Sequence, residues 1–241
     1  EWRLVAGTVL CSLAALYLFL LATVRRADRV MAAQEQDRAA QAARLAHLAS
    51  HDGLTGLPNR RSFGGALARA LGRAARHGHG AALMFIDLDG FKAVNDAQGH
   101  AAGDALLQAL AGRMQACLRT GEQLFRMGGD EFTVLLPQVA SADEAAVLAQ
   151  RLVAVVGQPV AVPGGQALVG ASIGIALYPG DAGDGETLLR LADDAMYAAK
   201  LRGKGRHAFH GGAPAAAAPA RGPADGPAAG APLADADHMP G

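Results

Sequence analysis

The first apolar stretch runs from Leu4 to Val24 almost unbroken and without charge, and Arg25, Arg26 and Arg29 follow it at once. As a helix it reaches across a hydrocarbon core of about 30 Å, and the positive-inside rule puts everything after Val24 in the cytoplasm. Residues 1–24 are therefore expected to be a membrane helix in the inner (cytoplasmic) membrane. A cleaved signal peptide fits less well, because the basic cluster follows the apolar run and no small-residue cleavage pattern precedes the polar segment. From Arg25 to Ser50 the chain is rich in Ala, Gln and Arg, with no Gly or Pro, which predicts a helical linker over 25–50. Met31, Gln34, Arg38, Gln41, Leu45 and Leu48 keep a heptad spacing, but half of them are polar. A weak parallel coiled-coil stalk and a solvated helix are both compatible with that pattern.

From residue 51 the pattern changes to short apolar runs alternating with segments of helical period. Helical spacing covers Gly65 to Arg76 and ends at Gly78-His79-Gly80; Ala82 to Ile86 is a continuous apolar run of strand length. Helices are predicted over Phe91 to Gln98 and Gly103 to Arg119. Two apolar runs, Leu124-Phe125 and Phe132 to Leu136, flank a Gly-Gly turn and predict a β-hairpin. Ser141 with Glu144 three residues on reads as a capping box opening a helix to Val156. A strand over Gln166 to Tyr178, a helix over Gly185 to Arg202 and a short strand at His207 to Phe209 complete an α/β (α+β) domain over 51–210. Its central sheet is expected to be mainly antiparallel and flanked by helices. From Gly211 to Gly241 the composition collapses to mostly Ala, Pro and Gly with scattered Asp, which predicts a disordered tail.

Composition adds bounds. With 241 residues, 51% of them hydrophobic, the chain holds one core of roughly 150–160 residues plus appendages. The formal net charge is zero, so nothing global points to nucleic acid. Cys11 and Cys117 lie far apart in unrelated settings and form no disulfide or zinc framework. A chain that opens on Glu rather than Met is expected to continue upstream, into a sensor or further membrane helices.

The candidate chemistry lies at two acidic clusters. One ends the predicted strand, Asp87-Leu88-Asp89-Gly90-Phe91-Lys92; the other sits on the hairpin turn, Gly128-Gly129-Asp130-Glu131. Alone, the turn reads as an ordinary solvated hairpin. A buried strand that delivers a carboxylate at its exit changes the balance, because Asp87 and Glu131 together offer hard oxygen ligands for Mg²⁺ beside a phosphate-sized gap, with Lys92 as counter-charge. If the strand continues, Asp87 and Asp89 share a face and Leu88 points the other way.

Six ordered strings carry a resemblance: Asp52 to Arg61 (DGLTGLPNRR), Phe85 to Asn95 (FIDLDGFKAVN), Gly99 to Asp104 (GHAAGD), Gly128 to Phe132 (GGDEF), Ala171 to Ile175 (ASIGI) and Ala192 to Lys200 (ADDAMYAAK). In these the domain resembles the GGDEF diguanylate cyclase family. The resemblance implies a palm-like fold shared with class III cyclases. It also implies an enzyme that joins two GTP into cyclic di-GMP, a bacterial second messenger, as a homodimer with Mg²⁺ or Mn²⁺.

By the same resemblance Asp87, the Leu88 carbonyl and Glu131 hold the metal, and Asp130 lies beside the attacking hydroxyl as a second metal ligand or proton acceptor. The turn at Gly128 and Gly129 abuts the substrate, Phe91 and Lys92 meet the β- and γ-phosphates, and Asn95 and Asp104 read guanine. Lys200 and Lys204, four apart at a predicted helix end, share a face and reach phosphate, or are an ordinary basic helix terminus. His100 contacts the nucleotide or caps its helix. Gly90 and Gly205 depart from the family's usual residues, and neither change removes a charge. An Arg-x-x-Asp product site becomes Arg119-Thr120-Gly121-Glu122, with Arg151 a secondary contact, so product inhibition is expected to be weak. The rival reading from another class is an inactive GGDEF module that binds GTP or cyclic di-GMP and signals by contact.

Overall fold

The computed structural model describes residues 1–212, so the predicted disordered tail from 213 onward lies outside the described residues. α1 (Trp2–Ser50) is one unbroken helix. It leads into α2 (Arg60–His77), β1 (Gly80–Asp89), α3 (Phe91–Gln98), α4 (His100–Ala116), β2 (Gln123–Gly128), β3 (Glu131–Val139), α5 (Ala142–Val156), β4 (Val160–Val162), β5 (Gly165–Ala167), β6 (Gly170–Tyr178), α6 (Gly185–Leu201) and β7 (His207–Phe209).

The membrane reading is overturned. Among the described residues no helix is long and apolar enough to cross a membrane. The transmembrane helix, the membrane partner and the inner-membrane location expected from the sequence all fall with it.

Five strands form a mixed sheet in the order β2-β3-β1-β6-β7. β1 lies at its centre, antiparallel to β3 on one side and to β6 on the other; β2 pairs antiparallel with β3, and only β7 runs parallel, against β6. β4 and β5 make a separate small hairpin. Period-2 alternation sorts β1 between two cores. Ala82, Met84, Ile86 and Leu88 pack into the core built with α4 and α5; Ala81, Leu83 and Phe85 pack into the core built with α2 and α6. Asp87 and Asp89 continue the second set, so both acids emerge on the α2/α6 face.

Several local expectations change. α4 starts three residues earlier than the apolar period suggested, at His100, because Gly99, with φ of 83°, turns the chain directly from α3 into α4. α6 ends at Leu201, and Lys204 follows in a loop rather than on the helix. The capping box at α5 is half formed. Ser141 makes no side-chain cap, and Glu144 reaches back to the amide of Ala140 at 3.0 Å.

One glycine sets how closely α6 lies on the sheet. A Cβ at Gly174 would stand 1.9 Å from the carbonyl oxygen of Ala192 and 2.1 Å from the amide nitrogen of Met196, both backbone atoms of α6. Backbone cannot swing aside as a side chain does, so Gly174→Ala must lift the helix off β6. We expect it to cost at least about 1–3 kcal/mol, read as a lowered midpoint in urea unfolding.

Candidate active site

The centre of the site is a cross-strand pair. Register sets Asp87 of β1 directly opposite Glu131 of β3, and opposite Ser172 of β6 on the other side. Glu131 is the first residue of β3, immediately after the two-residue turn Gly129-Asp130. Gly128 (φ 143°) and Gly129 (φ 54°) adopt backbone angles that side chains resist. The amide of Leu88 donates to the carbonyl of Asp130 at 3.4 Å, holding the turn against the end of β1. From α6, the Lys200 ammonium reaches Asp87 Oδ1 at 2.8 Å.

Both carboxyls of the pair hold protons above the usual carboxylate range. For Asp87 burial is the main cause, opposed by Lys200 and reinforced by Asp130 and Asp89. For Glu131 burial again leads, followed by the charges of Asp87, Asp193 and Asp130, with Arg60 opposing. Partly buried like charges at one register position are stabilised by a cation, so the donor set suits a hard divalent ion. Among the described residues no three His, Cys, Asp or Glu side chains form a ready-made metal cage.

The turn is clamped from behind. Arg126 donates through Nε and Nη2 to the Gly129 carbonyl, at 3.1 and 2.7 Å, and through Nη1 to Asp52 Oδ1 at 2.7 Å. The bridge joins Asp52 to Arg126, with side chains only 24% and 10% exposed, while Arg60, at the start of α2, acts on the surroundings of Glu131. Burial pushes the Asp52 carboxyl up, but hydrogen bonds from Thr55 and Arg126 outweigh it and hold the carboxyl below its usual range.

Beside the acidic pair, Gly90 (φ 89°) opens α3, whose first amides belong to Phe91 and Lys92. Amides at a helix start lack intrahelical partners and face anions readily. Phe91 is half-buried against the core, and Lys92 is exposed. Asn95 lies against α4 at Gly103, where a Cβ would come within 1.9 Å of Asn95 Oδ1. Asp104, the next residue, is exposed. α4 has no side-chain cap, so His100 does not cap it, and His100 is exposed at the helix start. Lys204 sits in the loop after α6 with φ of 58°.

The second cluster lies apart from this. Arg119 pairs with Glu144 at 2.9 Å, and Glu122 Oε2 accepts from the Arg119 amide at 2.7 Å. Arg151 lines a cleft of about 240 Å³ with Arg119, Glu122 and Val147.

Sequence reasoning missed the Asp52–Arg126 clamp, Gly103, Arg60 and Asp193. The clamp spans 74 positions and leaves no periodic trace. Asp193 had a usable signal, since it precedes Lys200 by two helical turns and so shares its face.

The site can be set beside known proteins. A family model described as "Diguanylate cyclase, GGDEF domain" matches residues 49–206. Diguanylate cyclase TpbB of Pseudomonas aeruginosa (strain UCBPP-PA14) is 46% identical over 164 residues, which is 68% of this chain and 38% of that protein. The chain thus spans well under half of that relative's length. The solved GGDEF domain of TpbB from P. aeruginosa PAO1 superposes with a TM-score of 0.65 at 43% identity, covering 66% of this chain and 94% of that one. The coiled coil and GGDEF domain of DgcB from Caulobacter crescentus, solved in complex with c-di-GMP, gives a TM-score of 0.69 at 27% identity, over 77% and 97% of the two chains.

The carboxylate pair makes a testable demand on stability. Because the folded protein raises both proton affinities, the stability these groups contribute is full below the usual carboxylate range and is lost as pH rises through their raised values. Glu131→Gln removes one charge of the pair. It should raise the melting temperature of the ligand-free protein at pH 7 by up to about 4 °C, with the gain shrinking near pH 4. Thermal unfolding at the two pH values checks it.

Proposed function

The chain belongs to the GGDEF diguanylate cyclase family, and from that premise we propose that it condenses two GTP into cyclic di-GMP and two pyrophosphates. The observation that carries the reading is the register pair Asp87–Glu131 with Lys200 on it and the start of α3 two residues beyond Asp89. Asp87, the Leu88 carbonyl and Glu131 would hold a divalent ion, Mg²⁺ or Mn²⁺, which would neutralise charge on the triphosphate and its leaving group. Each 3′-hydroxyl attacks the α-phosphorus of the other GTP, so two copies of the domain face each other with one nucleotide apiece. Phe91 and Lys92 meet the β- and γ-phosphates through backbone amides and an ammonium, and Lys200 and Lys204 add positive charge to the same oxygens. Gly128 and Gly129 let the turn approach the nucleotide without side chains between. Asp130 accepts the proton of the attacking hydroxyl. His100, at the start of α4, borders the base.

Asn95 and Asp104 read guanine. The amide offers a donor and an acceptor, and the carboxylate accepts from N1–H and N2–H, which adenine lacks. Gly103 belongs to this pocket, because any larger residue there displaces Asn95. At the second cluster Arg119 Nη1 is engaged by Glu144 and Glu122 Oε2 by the Arg119 amide, and Glu122 is one methylene longer than the Asp of the family's Arg-x-x-Asp pair. Product inhibition through Arg119, Glu122 and Arg151 is accordingly weak.

Incubating the chain with GTP and Mg²⁺ and identifying the product by mass tests the reading. We expect cyclic di-GMP from the native chain and none from Glu131→Gln, which stays folded. Product from the variant at a near-native rate would remove Glu131 from the metal site.

Asp104→Ser should relax base choice, since a hydroxyl satisfies either purine. In a mixture of GTP and ATP, adenine should enter the product. Continued exclusion of ATP would move the guanine pocket elsewhere.

A further inference from the structure

Asp89 shares a face with Asp87 but has different partners. Ser172, fully buried, donates its hydroxyl to both Asp89 oxygens at 2.9 Å. The amide of Gly205, 116 positions along the chain, donates to Oδ2 at 3.0 Å. Opposite Asp89 in the register stands Gly170, where a Cβ would be 3.2 Å from Oδ2, so the glycine leaves the carboxylate room. With both oxygens engaged by protein donors, Asp89 has little left for a metal.

The loop that Asp89 grips carries Lys204. Gly203, Lys204 and Gly205 have φ of 113°, 58° and 56°. Lys204 is the only non-glycine residue with positive φ among the described residues. A non-glycine residue in that region persists where its surroundings over-determine it. The surroundings do so at three points. Lys204 N–H donates to the Ala199 carbonyl at 3.3 Å, Arg206 O accepts from the Ile173 amide at 2.9 Å as β7 begins, and the Asp89–Gly205 bond fixes the middle. Asp89 is two residues from Asp87, about 7 Å along the strand, so the same strand end that presents the metal carboxylate also sets where Lys204 stands.

We infer that Asp89, backed by Ser172, is a positioning residue that holds the loop of residues 202–206 so that Lys204 is presented to the triphosphate. The inference rests on the proposed reading of Lys204 as a phosphate contact. It separates the two acids of the Asp-Leu-Asp string: Asp87 faces the ion, and Asp89 acts through the backbone of another segment.

The test compares two probes that cannot react: GTP with a methylene bridge between the α- and β-phosphorus, and GMP, each titrated with Mg²⁺ against the full chain and against Asp89→Asn, Lys204→Met and the double variant. The asparagine keeps the volume but presents a single acceptor oxygen to two donors. Asp89→Asn and Lys204→Met should each weaken the triphosphate about 5- to 20-fold, the scale of one charge-assisted hydrogen bond. GMP affinity should stay within about 2-fold, and the double variant should be no weaker than the worse single one, because both act through one contact. Equal losses for GMP and the triphosphate, or losses that multiply in the double variant, overturn the inference. If Lys204→Met weakens the triphosphate and Asp89→Asn does not, Asp89 alone is misassigned. If Lys204→Met leaves it unchanged, the phosphate reading of Lys204 fails and the inference falls with it. Should Asp89→Asn not fold, Ser172→Ala, which leaves the carboxylate in place, is judged by the same criteria with a smaller expected loss.

Discussion

The register of β1 against its two neighbours governs the site. β1 is hydrogen-bonded on both edges, so it cannot shift without breaking two ladders, and a slip of one residue would turn every side chain to the opposite face. That lock sets Glu131, Asp87 and Ser172 in one row across three strands. Two of the three are carboxylates partly withdrawn from water, an arrangement no packing argument favours. The apolar residues of β1, fully buried above and below the sheet, supply the stability that lets the row persist. The strand behaves as a rigid arm whose tip is electrostatically uncomfortable until a cation arrives, and Lys200 fills part of that role in the ligand-free chain.

A second link ties the tip to the beginning of the domain. Arg126 spends three donor nitrogens on two acceptors, the Gly129 carbonyl inside the turn and the Asp52 carboxylate a few residues beyond α1. Asn59 adds to the joint, donating to the carbonyls of Ala49 and His51 while capping α2. The end of α1, the start of α2 and the Gly128–Glu131 turn are therefore joined by consecutive hydrogen bonds with little intervening loop. A change in the angle of α1 would reach Gly129 through Asp52 and Arg126 without crossing the core. The pair is largely shielded from solvent, so it resists salt better than an exposed bridge would.

Much of this was readable in the chain. The order of helices and sheet strands from residue 60 to 209 follows from apolar periodicity and glycine punctuation, apart from the β4–β5 hairpin; Asp87 and Glu131 stood out at a strand exit and on a Gly-Gly turn, whereas Asn95 and Asp104 were indicated by the family resemblance alone. What escaped was whatever depends on distant backbone. The partner of Asp52 could not be read from spacing, because Arg126 lies 74 positions away on a hairpin that only the fold brings alongside. Lys204 was read as helical because Lys200 is four residues away, but Gly203 and Gly205 on either side of it release the chain from the helix. The apolar run in α1 suggested a membrane helix by composition, and among the described residues no helix is long and apolar enough to cross a membrane. Glu144 was legible as a cap, but its second oxygen goes to Arg119, a contact 25 positions away.

α6 shows why these site residues cannot be separated from the core. Gly174 lets the helix backbone settle onto β6, and that close approach is what brings Lys200 within 2.8 Å of Asp87 and Asp193 near enough to act on Glu131. A helix held a side chain's width further out would still bury Leu188, Leu191 and Met196 in part, but its ammonium would no longer reach the strand tip. The loop that follows inherits the same placement, because Lys204 is fastened to Ala199 at one end and Gly205 to Asp89 at the other. Packing distance thus acts as a charge-positioning device: one missing methyl on the central sheet determines where two cations stand relative to two carboxylates.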